Sequence, residues 1–170
     1  MTHICKQEWM GCAIATAASI ADLSYKEVVD LCDGVRAAEL REYEAMRQLL
    51  EKVTCTRWVG KHMRRPKPVL ETLFPDYPVA AWLENRRIAP NFGQWIAIRR
   101  ELIHDPGLQA AYHFRRYLRR NWIVAALLEP ADPLNLESRR HAHSRHVLEE
   151  LAEQMSLALA DRGDHYGPAS

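Results

Sequence analysis

The chain has 170 residues, with 23 basic and 22 acidic side chains and a formal net charge of +1. Hydrophobic residues make up 48% of it and charged residues 26%, which is typical of a folded globular protein and excludes a disordered or fibrous chain. The balanced charge argues against a protein that binds polyanions over its whole surface. No apolar run approaches the ~20 residues of a membrane span, so we expect no membrane partner.

The four cysteines are candidates for chemistry rather than for disulfides. They stand at Cys5, Cys12, Cys32 and Cys55, and no pair has the spacing of a zinc or thioredoxin motif. The start of the chain lacks the basic segment followed by an apolar one that marks a secretory signal. We therefore predict a cytoplasmic protein with free thiols, no cofactor and no metal site, in which Cys5, Cys32 and Cys55 are structural.

The first third of the chain predicts three helices. Residues 11–22 form an Ala-rich run that is longer than a typical strand, which favours a helix buried on most of its sides. Ser24 and Glu27 have the spacing of a capping box, which predicts a second helix over residues 25–32. Apolar residues at helical spacing predict a third helix over residues 37–53. Three side chains of the second helix are expected to face the core: Val28, Val29 and Leu31.

Beyond residue 55 the pattern changes to short runs of β-branched and aromatic residues, which favour strands. Residues 60–68 are basic and are predicted to form a loop, whereas the Arg-rich residues 110–120 are predicted to be helical. Helices followed by a mainly antiparallel sheet define an α+β fold. The predicted strands cover residues 56–59, 78–83, 94–100, 102–104 and 122–128.

The C-terminal part of the sequence returns to a helical pattern. Pro130 and Pro133 mark a boundary, so we assign residues 1–130 to one domain and residues 131–170 to a linker and an amphipathic helix. The apolar stripe of that helix is expected to pack on the domain or on a partner protein.

Cys12 is the sharpest catalytic candidate, because it follows Gly11 and directly precedes the Ala-rich run. Unpaired N–H groups and the positive end of the helix dipole favour the thiolate of a cysteine at a helix N-terminus, and the thiolate is the nucleophile. The side-chain amide of Gln7 is positioned upstream to donate to an oxyanion, together with the backbone N–H of Cys12. The alternative is that Cys12 is simply a small buried hydrophobic residue.

The segment from Gln7 to Val28 resembles the start of papain-like cysteine peptidases, most closely the small bacterial type related to bacteriocin-processing peptidases. In that type a Gln precedes a Cys that opens a helix of small residues, and a short loop leads to a Tyr-Glu-Glu-Val-like second helix. This chain has Gln7, Cys12 and a Tyr-Lys-Glu-Val sequence that ends at Val28. The resemblance implies a papain-like fold with the first helix central and buried, Cys12 as the nucleophile and Gln7 as the oxyanion donor.

Residues 93–106 resemble the second half of the same family. There one strand begins Gly-His-Trp and the next ends in Asp-Pro, whereas this chain has Gly-Gln94-Trp95 and Asp105-Pro. By this resemblance Gln94 takes the position of the catalytic His, which is the general base. Asp105 takes that of the orienting acid, which is expected to have nothing to orient. Trp95, and Trp9 near Cys12, are assigned to the substrate groove.

Other histidines are weaker candidates for the missing base. His104 neighbours Asp105 but should face the opposite side of its strand. His3 lies near the terminus and is expected to be mobile, and His62 and His113 are expected to be solvated. A last cluster, for which a solvated helix face is favoured over a metal site, comprises His141, His143 and His146.

Two functions are implied by the resemblance. The first is hydrolysis of a peptide or amide bond through a thioester on Cys12, weakened or lost because the amide of Gln94 does not accept and return a proton near neutral pH. The second is a non-catalytic module that retains the peptidase fold and binds a peptide or protein in the same cleft. The Arg-rich stretches are expected to be solvated surface balanced by acidic helices rather than a nucleic-acid interface.

Overall fold

The computed structural model falls into two compact units, Met1–Leu136 and Glu137–Ser170. In the second unit only residues 137–139 are described, so the predicted C-terminal helix stripe and the histidines at 141–146 lie outside the described residues. The described residues are 1–8, 11–32, 39–85, 87–88, 92–119 and 121–139, without the side chains of Lys61 and His62.

The first unit places three helices before an antiparallel sheet, which confirms the predicted α+β class. The sheet has the strand order β1-β6-β2-β3-β4-β5, and each adjacent pair is antiparallel. Its strands are β1 (Trp58–Pro68), β2 (Val79–Glu84), β3 (Gly93–Arg99), β4 (Leu102–His104), β5 (Tyr112–His113) and β6 (Ile123–Pro130). The helices are α1 (Cys12–Ala21), α2 (Tyr25–Leu31) and α3 (Tyr43–Thr54).

Helix α1 occupies the centre of the core, as the Ala-rich run predicts. All of its residues are buried, and it packs against β3 and β2 on one side and against α2 and α3 on the other. Its alanines allow a close approach to the sheet, while Ile14 and Ile20 fill space in a cluster that also includes Trp58, Trp95 and Leu128. This packing brings the N-terminus of α1 next to strand β3.

Helix α2 begins with the predicted capping box but faces the core with fewer residues than expected. The backbone N–H of Glu27 donates to Ser24 Oγ at 3.2 Å, and that of Ser24 donates to Glu27 Oε2 at 2.6 Å. Val28 is fully buried, whereas Val29 is 41% exposed and Leu31 38% exposed, so the prediction that these two face inward is wrong. The inward face of this short helix carries Tyr25, Val28 and Cys32, whose spacing of three and four residues leaves the other two at its edges.

Helix α3 starts later than predicted. Residues 39–41 form a separate 3-10 turn, and Glu42 has an extended backbone before the helix begins at Tyr43. The carbonyl of Arg41 accepts a hydrogen bond from the indole N–H of Trp95 at 3.2 Å, which fixes the turn to strand β3. The helical spacing of the apolar residues predicts a core face of Leu40, Tyr43, Met46, Leu49 and Leu50. Four of these residues are buried, and Tyr43 is half-buried against the same cluster.

Strand β1 includes the basic residues that were predicted to form a loop. It pairs with β6 from Trp58 to Pro68, with a register shift between His62 and Lys67. Basic residues favour a loop, but an edge strand tolerates both charge and proline, and among the described strands β1 pairs with β6 alone.

The predicted helix over residues 110–120 is wrong, because the described part of this segment, residues 110–119, contains no α-helix. They contain strand β5 and a 3-10 turn over Phe114–Arg116. The backbone N–H of Phe114 donates to the carbonyl of Glu101 at 2.8 Å, and the side chains of Tyr117 and Arg119 both reach Asp105. Long-range hydrogen bonds therefore override the local helix preference of this segment.

None of the described helices has the length and apolar character that crossing a bilayer requires.

Replacement of the capping serine should destabilise the protein without changing its fold. Ser24→Ala removes the acceptor for the Glu27 N–H and is expected to lower the free energy of unfolding by about 1 kcal/mol in urea denaturation. Ser24→Asp keeps a side-chain acceptor and should remain within a few tenths of a kcal/mol of the parent protein. Equal stability of the two variants would contradict the capping role.

Candidate functional site

The side chain of Tyr25 packs against the turn before Cys12. A Cβ atom at Gly11 would lie 2.2 Å from the hydroxyl oxygen of Tyr25, so a larger residue would displace that ring. The same hydroxyl donates to Glu8 Oε1 at 3.2 Å, and the backbone N–H of Gly11 donates to the carbonyl of Glu8 at 3.1 Å. The glycine is therefore needed where the chain enters α1.

The Cys12 thiol is buried between α1 and strand β3. Cys12 exposes 7% of its surface to solvent. Burial raises the pKa of the Cys12 thiol above its ordinary value, against smaller lowering effects from the backbone N–H groups of Trp95 and Ala13 and from the charges of Lys6 and Arg41. Because the raising effect prevails, the thiol is mostly protonated at neutral pH, which makes it a poor nucleophile.

Gln94 and Asp105 are in direct contact. Gln94 lies on β3 and is 8% exposed, and its Nε2 donates to Asp105 Oδ1 at 2.7 Å. An ionised carboxylate only accepts hydrogen bonds, so the amide nitrogen of Gln94 must face it. The expectation that Asp105 has nothing to orient therefore needs correction, because its carboxylate orients the amide of Gln94.

The Asp105 carboxylate has no exposed surface and receives several other hydrogen bonds. The hydroxyl of Tyr117 donates to Oδ2 at 2.6 Å, and the backbone N–H of Gly107 donates to Oδ1 at 2.8 Å. Nη1 of Arg119 lies 3.1 Å from Oδ1 and 2.9 Å from Oδ2, so the buried charge is paired. Burial and this carboxylate together raise the pKa of Tyr117 well above its usual value, which keeps the phenol a donor.

Cys12 and Gln94 open into one cleft of about 290 Å³. Asp105 lies behind the amide of Gln94 and is fully buried. The described lining is completed by cations, aromatic rings and a glycine: Lys6, Arg41, Arg119, Phe92, Trp122 and Gly93.

Neither Trp95 nor Gln7 belongs to the described lining of the cleft. Trp95 is 1% exposed, and its ring packs against Trp82 at 5.4 Å between centroids, so the side chain belongs to the core and not to the described cleft lining. Only its backbone N–H faces the Cys12 sulfur. Gln7 is exposed and is not among the described lining residues of the cleft, and Trp9 lies outside the described residues.

No histidine side chain lines the cleft among the described residues. His104 is 4% exposed and lies against the ring of His3, with 5.8 Å between centroids. His3 is held by the chain rather than mobile as expected, because its Nε2 lies 3.0 Å from the carbonyl of Leu108. His113 lies 2.8 Å from Glu101 in an exposed pair. Proton transfer to an imidazole at Cys12 is therefore absent from the described site.

The sequence interpretation missed the cations and the phenol that complete the site. The predicted helix over residues 110–120 conceals the roles of Tyr117 and Arg119, and no sequence pattern marks Lys6 or Arg41. A cation beside Asp105 could have been expected, because a buried Asp needs a compensating positive charge. Nothing in the sequence indicates which arginine supplies that charge.

Within the part of the chain that the structure describes, no group of three or more His, Cys, Asp or Glu residues is arranged to hold a metal ion. No protein-family model matches this chain, and no curated protein matches it at a significant level.

Removal of the Tyr117 hydroxyl should destabilise the protein measurably. Tyr117→Phe leaves the ring in the core but deprives a buried carboxylate of a donor, so we expect a loss of about 2 kcal/mol in the free energy of unfolding. The matched control is Tyr112→Phe, at a half-buried tyrosine of β5 that packs against the same core cluster. If both variants lose the same amount, the bond to Asp105 does not carry the effect.

The reactivity of Cys12 should rise only in alkaline solution. Because burial raises its pKa, the rate of alkylation by iodoacetamide should have its midpoint above the ~8.5 of an unperturbed thiol. The same shift means that the folded protein holds this proton more tightly than the unfolded chain. Its contribution to stability is complete below the unfolded pKa and is lost as the pH rises through the folded pKa. Mass spectrometry of the peptide containing Cys12 measures the rate, and a midpoint below that of free cysteine would contradict this prediction.

Proposed function

We propose that this protein has a papain-like cysteine-peptidase fold whose cleft binds a peptide or protein segment without hydrolysing it efficiently. The observation that carries the proposal is the hydrogen bond from Gln94 to Asp105 beside Cys12. In the family that the sequence resembles, these three positions belong to the base, the orienting acid and the nucleophile.

The arrangement of the fold supports the family assignment. A buried helix begins at the candidate nucleophile and packs against β3, the strand that carries Gln94. The next strand, β4, pairs with β3 and leads into Asp105, so residues far apart in the sequence meet at the cleft. This arrangement supports the proposal, because the two resembling segments imply that these positions share one site.

The chemistry of the site argues against efficient hydrolysis. Attack on an amide needs a thiolate or a base that takes the thiol proton, and collapse of the intermediate needs an acid for the leaving amine. The amide of Gln94 supplies neither near neutral pH. Burial also raises the pKa of Cys12, so the thiolate is scarce without a partner. A site that retains the cleft and lacks the proton carrier is suited to holding a ligand.

A second candidate is slow thiol chemistry at Cys12. It is favoured by the backbone N–H groups of Trp95 and Ala13, which face the sulfur, and by the charges of Lys6 and Arg41, which lower the pKa of the thiol. These groups would stabilise the small thiolate fraction. Acylation of Cys12 by an activated ester or thioester needs no protonated leaving amine, so this reaction remains feasible when amide hydrolysis does not.

Restoration of the histidine tests the proposed family. Gln94→His places an imidazole where Asp105 accepts its N–H, and we expect alkylation of Cys12 by iodoacetamide at pH 7 to become at least about tenfold faster. The matched control is Gln48→His on the exposed side of α3, which should leave the rate unchanged. No acceleration in a folded Gln94→His variant would remove the papain-like assignment.

Hydrolysis assays test the non-catalytic part of the proposal. Fluorescently labelled casein, incubated with the parent protein and with Cys12→Ala, should be cleaved equally little by both. Gln94→His should show cleavage that disappears in Gln94→His combined with Cys12→Ala. Cys12-dependent cleavage by the parent protein would overturn the claim that the cleft does not hydrolyse its ligand.

A further inference from the structure

The amide oxygen of Gln94 is an acceptor that the described residues leave unused. Nε2 of this side chain donates to Asp105 Oδ1 at 2.7 Å, and no donor among the described residues reaches its Oε1. The buried side-chain atoms that lack a partner in the described part of the chain lie elsewhere, so Oε1 is not sealed in the core. Gln94 lines the cleft beside Cys12, and the cleft is where this oxygen is accessible.

Asp105 prevents the amide of Gln94 from turning over. A flipped amide would place Oε1 against an ionised carboxylate, which only accepts hydrogen bonds. The carboxylate is itself held by the hydroxyl of Tyr117 and the backbone N–H of Gly107, so it does not rotate away from Gln94. Gln94 therefore presents an acceptor to the cleft in one orientation, whereas a solvated glutamine would present either end of its amide.

Arg119 supplies donors beside this acceptor. Its Nη1 lies 3.1 Å from the same Asp105 Oδ1 that accepts from Gln94, so both side chains are anchored on one oxygen. The bonds from Arg119 to Asp105 come from Nη1 alone, and a guanidinium carries five donors. Because the charge of Arg119 is paired with Asp105, its contribution to the cleft is N–H groups rather than a net charge.

Two aromatic rings form an apolar wall next to this polar pair. Phe92 and Trp122 line the same cleft and meet edge to face, with 5.9 Å between their centroids. The guanidinium of Arg119 lies 5.0 Å from the centroid of Trp122, which keeps the donors and the wall together. The cleft measures about 290 Å³, close to the lower limit of small-molecule sites, so it accommodates a short part of an extended chain.

A fixed acceptor next to fixed donors is complementary to a neutral amide group. A peptide bond carries both an N–H and a C=O, so it can donate to Gln94 and accept from Arg119. An ester has the carbonyl but no N–H, and a carboxylate would direct its lone pairs at Oε1 of Gln94. A ligand that excludes water from the cleft and leaves this oxygen unpaired loses affinity.

We infer that the cleft binds a peptide bond, whose N–H donates to Gln94 Oε1 and whose carbonyl accepts from Arg119, with a neighbouring apolar side chain against Phe92 and Trp122. The inference rests on the proposed peptide-binding function and states which group of the peptide is recognised. Gln94 is then the residue that determines specificity, because a proline has no N–H to donate at this position. The inference involves no covalent step.

The test is an NMR titration of the uniformly ¹⁵N-labelled protein at pH 7 with four small ligands. They are the primary amide, the N-methylamide, the N,N-dimethylamide and the methyl ester of 3-phenylpropanoic acid. Each ligand has one carbonyl and no charge, and its ring imitates an apolar side chain. We expect the N-methylamide to shift the side-chain amide signals of Gln94 and the indole signal of Trp122 along a saturating curve. The dimethylamide and the ester should bind at least about fivefold more weakly, because they lack the N–H.

Equal affinity of the N-methylamide and the methyl ester, or no saturating shift with the N-methylamide, would overturn the inference. The primary amide separates two sources of the same chemistry, since it imitates the side chain of Asn or Gln while the N-methylamide imitates the main chain. An N-methylamide that binds as tightly as the primary amide supports recognition of the main chain. An N-methylamide that binds as weakly as the ester, beside a tighter primary amide, would overturn the assignment to a peptide bond.

A variant locates the acceptor. Gln94→Met removes the amide oxygen and keeps the length of the side chain, so it should bind the N-methylamide and the ester equally. The control is Gln48→Met on the exposed side of α3, which should retain the preference of the parent protein. A preference that survives in Gln94→Met would show that another group accepts the N–H, and the inference would fall.

A second measurement applies if circular dichroism shows that Gln94→Met does not fold. In the parent protein, the N-methyl protons of the bound ligand should give nuclear Overhauser effects to the side chain of Gln94. Their absence at saturation would overturn the inference.

These outcomes are distinguishable from those of the histidine experiment. A preference for the N-methylamide with no acceleration by Gln94→His would leave an amide-binding site and remove the peptidase-like assignment. Acceleration by Gln94→His with no preference for the N-methylamide would leave that assignment and remove the amide-binding site.

Discussion

The buried carboxylate of Asp105 is the interaction on which the candidate site depends. A fully buried charge is costly unless hydrogen bonds and an opposite charge compensate for it. Here the compensation comes from three places: Gln94 on strand β3, the backbone of Gly107 in its own loop, and the segment that carries Tyr117 and Arg119. Because these groups share two oxygen atoms, the orientation of the amide near Cys12 and the position of a cleft cation are determined together.

The features that could be predicted from the sequence are those governed by local rules or by strong burial. An Ala-rich run is suited to a helix that is buried all round, and α1 is such a helix. A Ser and a Glu at capping-box spacing start α2. Short runs of β-branched and aromatic residues gave β2, β3, β4 and β6 nearly in full. The position of Cys12 at the start of α1 follows from the first of these rules.

The features that could not be predicted depend on contacts between distant residues. Residues 112–119 have the composition of a helix, but Tyr117 and Arg119 reach a carboxylate that no local pattern links to them. Lys6 and Arg41 are also far from Gln94 in the sequence, and they line the same cleft as Gln94 only in the folded chain. The prediction that Trp95 lines the substrate groove is wrong for a different reason. Trp95 follows Gln94 directly, but neighbouring residues of a strand point to opposite faces, and the side chain of Trp95 lies in the core.

Strand β1 forms one margin of the sheet, and its charges have a consequence for association between molecules. An open margin presents backbone donors and acceptors on which another chain could add a strand. Arg64, Arg65 and Lys67 are all exposed along it, and Pro66 lacks an N–H to offer. Two copies that approached through this strand would bring like charges together, so the sheet is protected from growing into a larger aggregate at this margin.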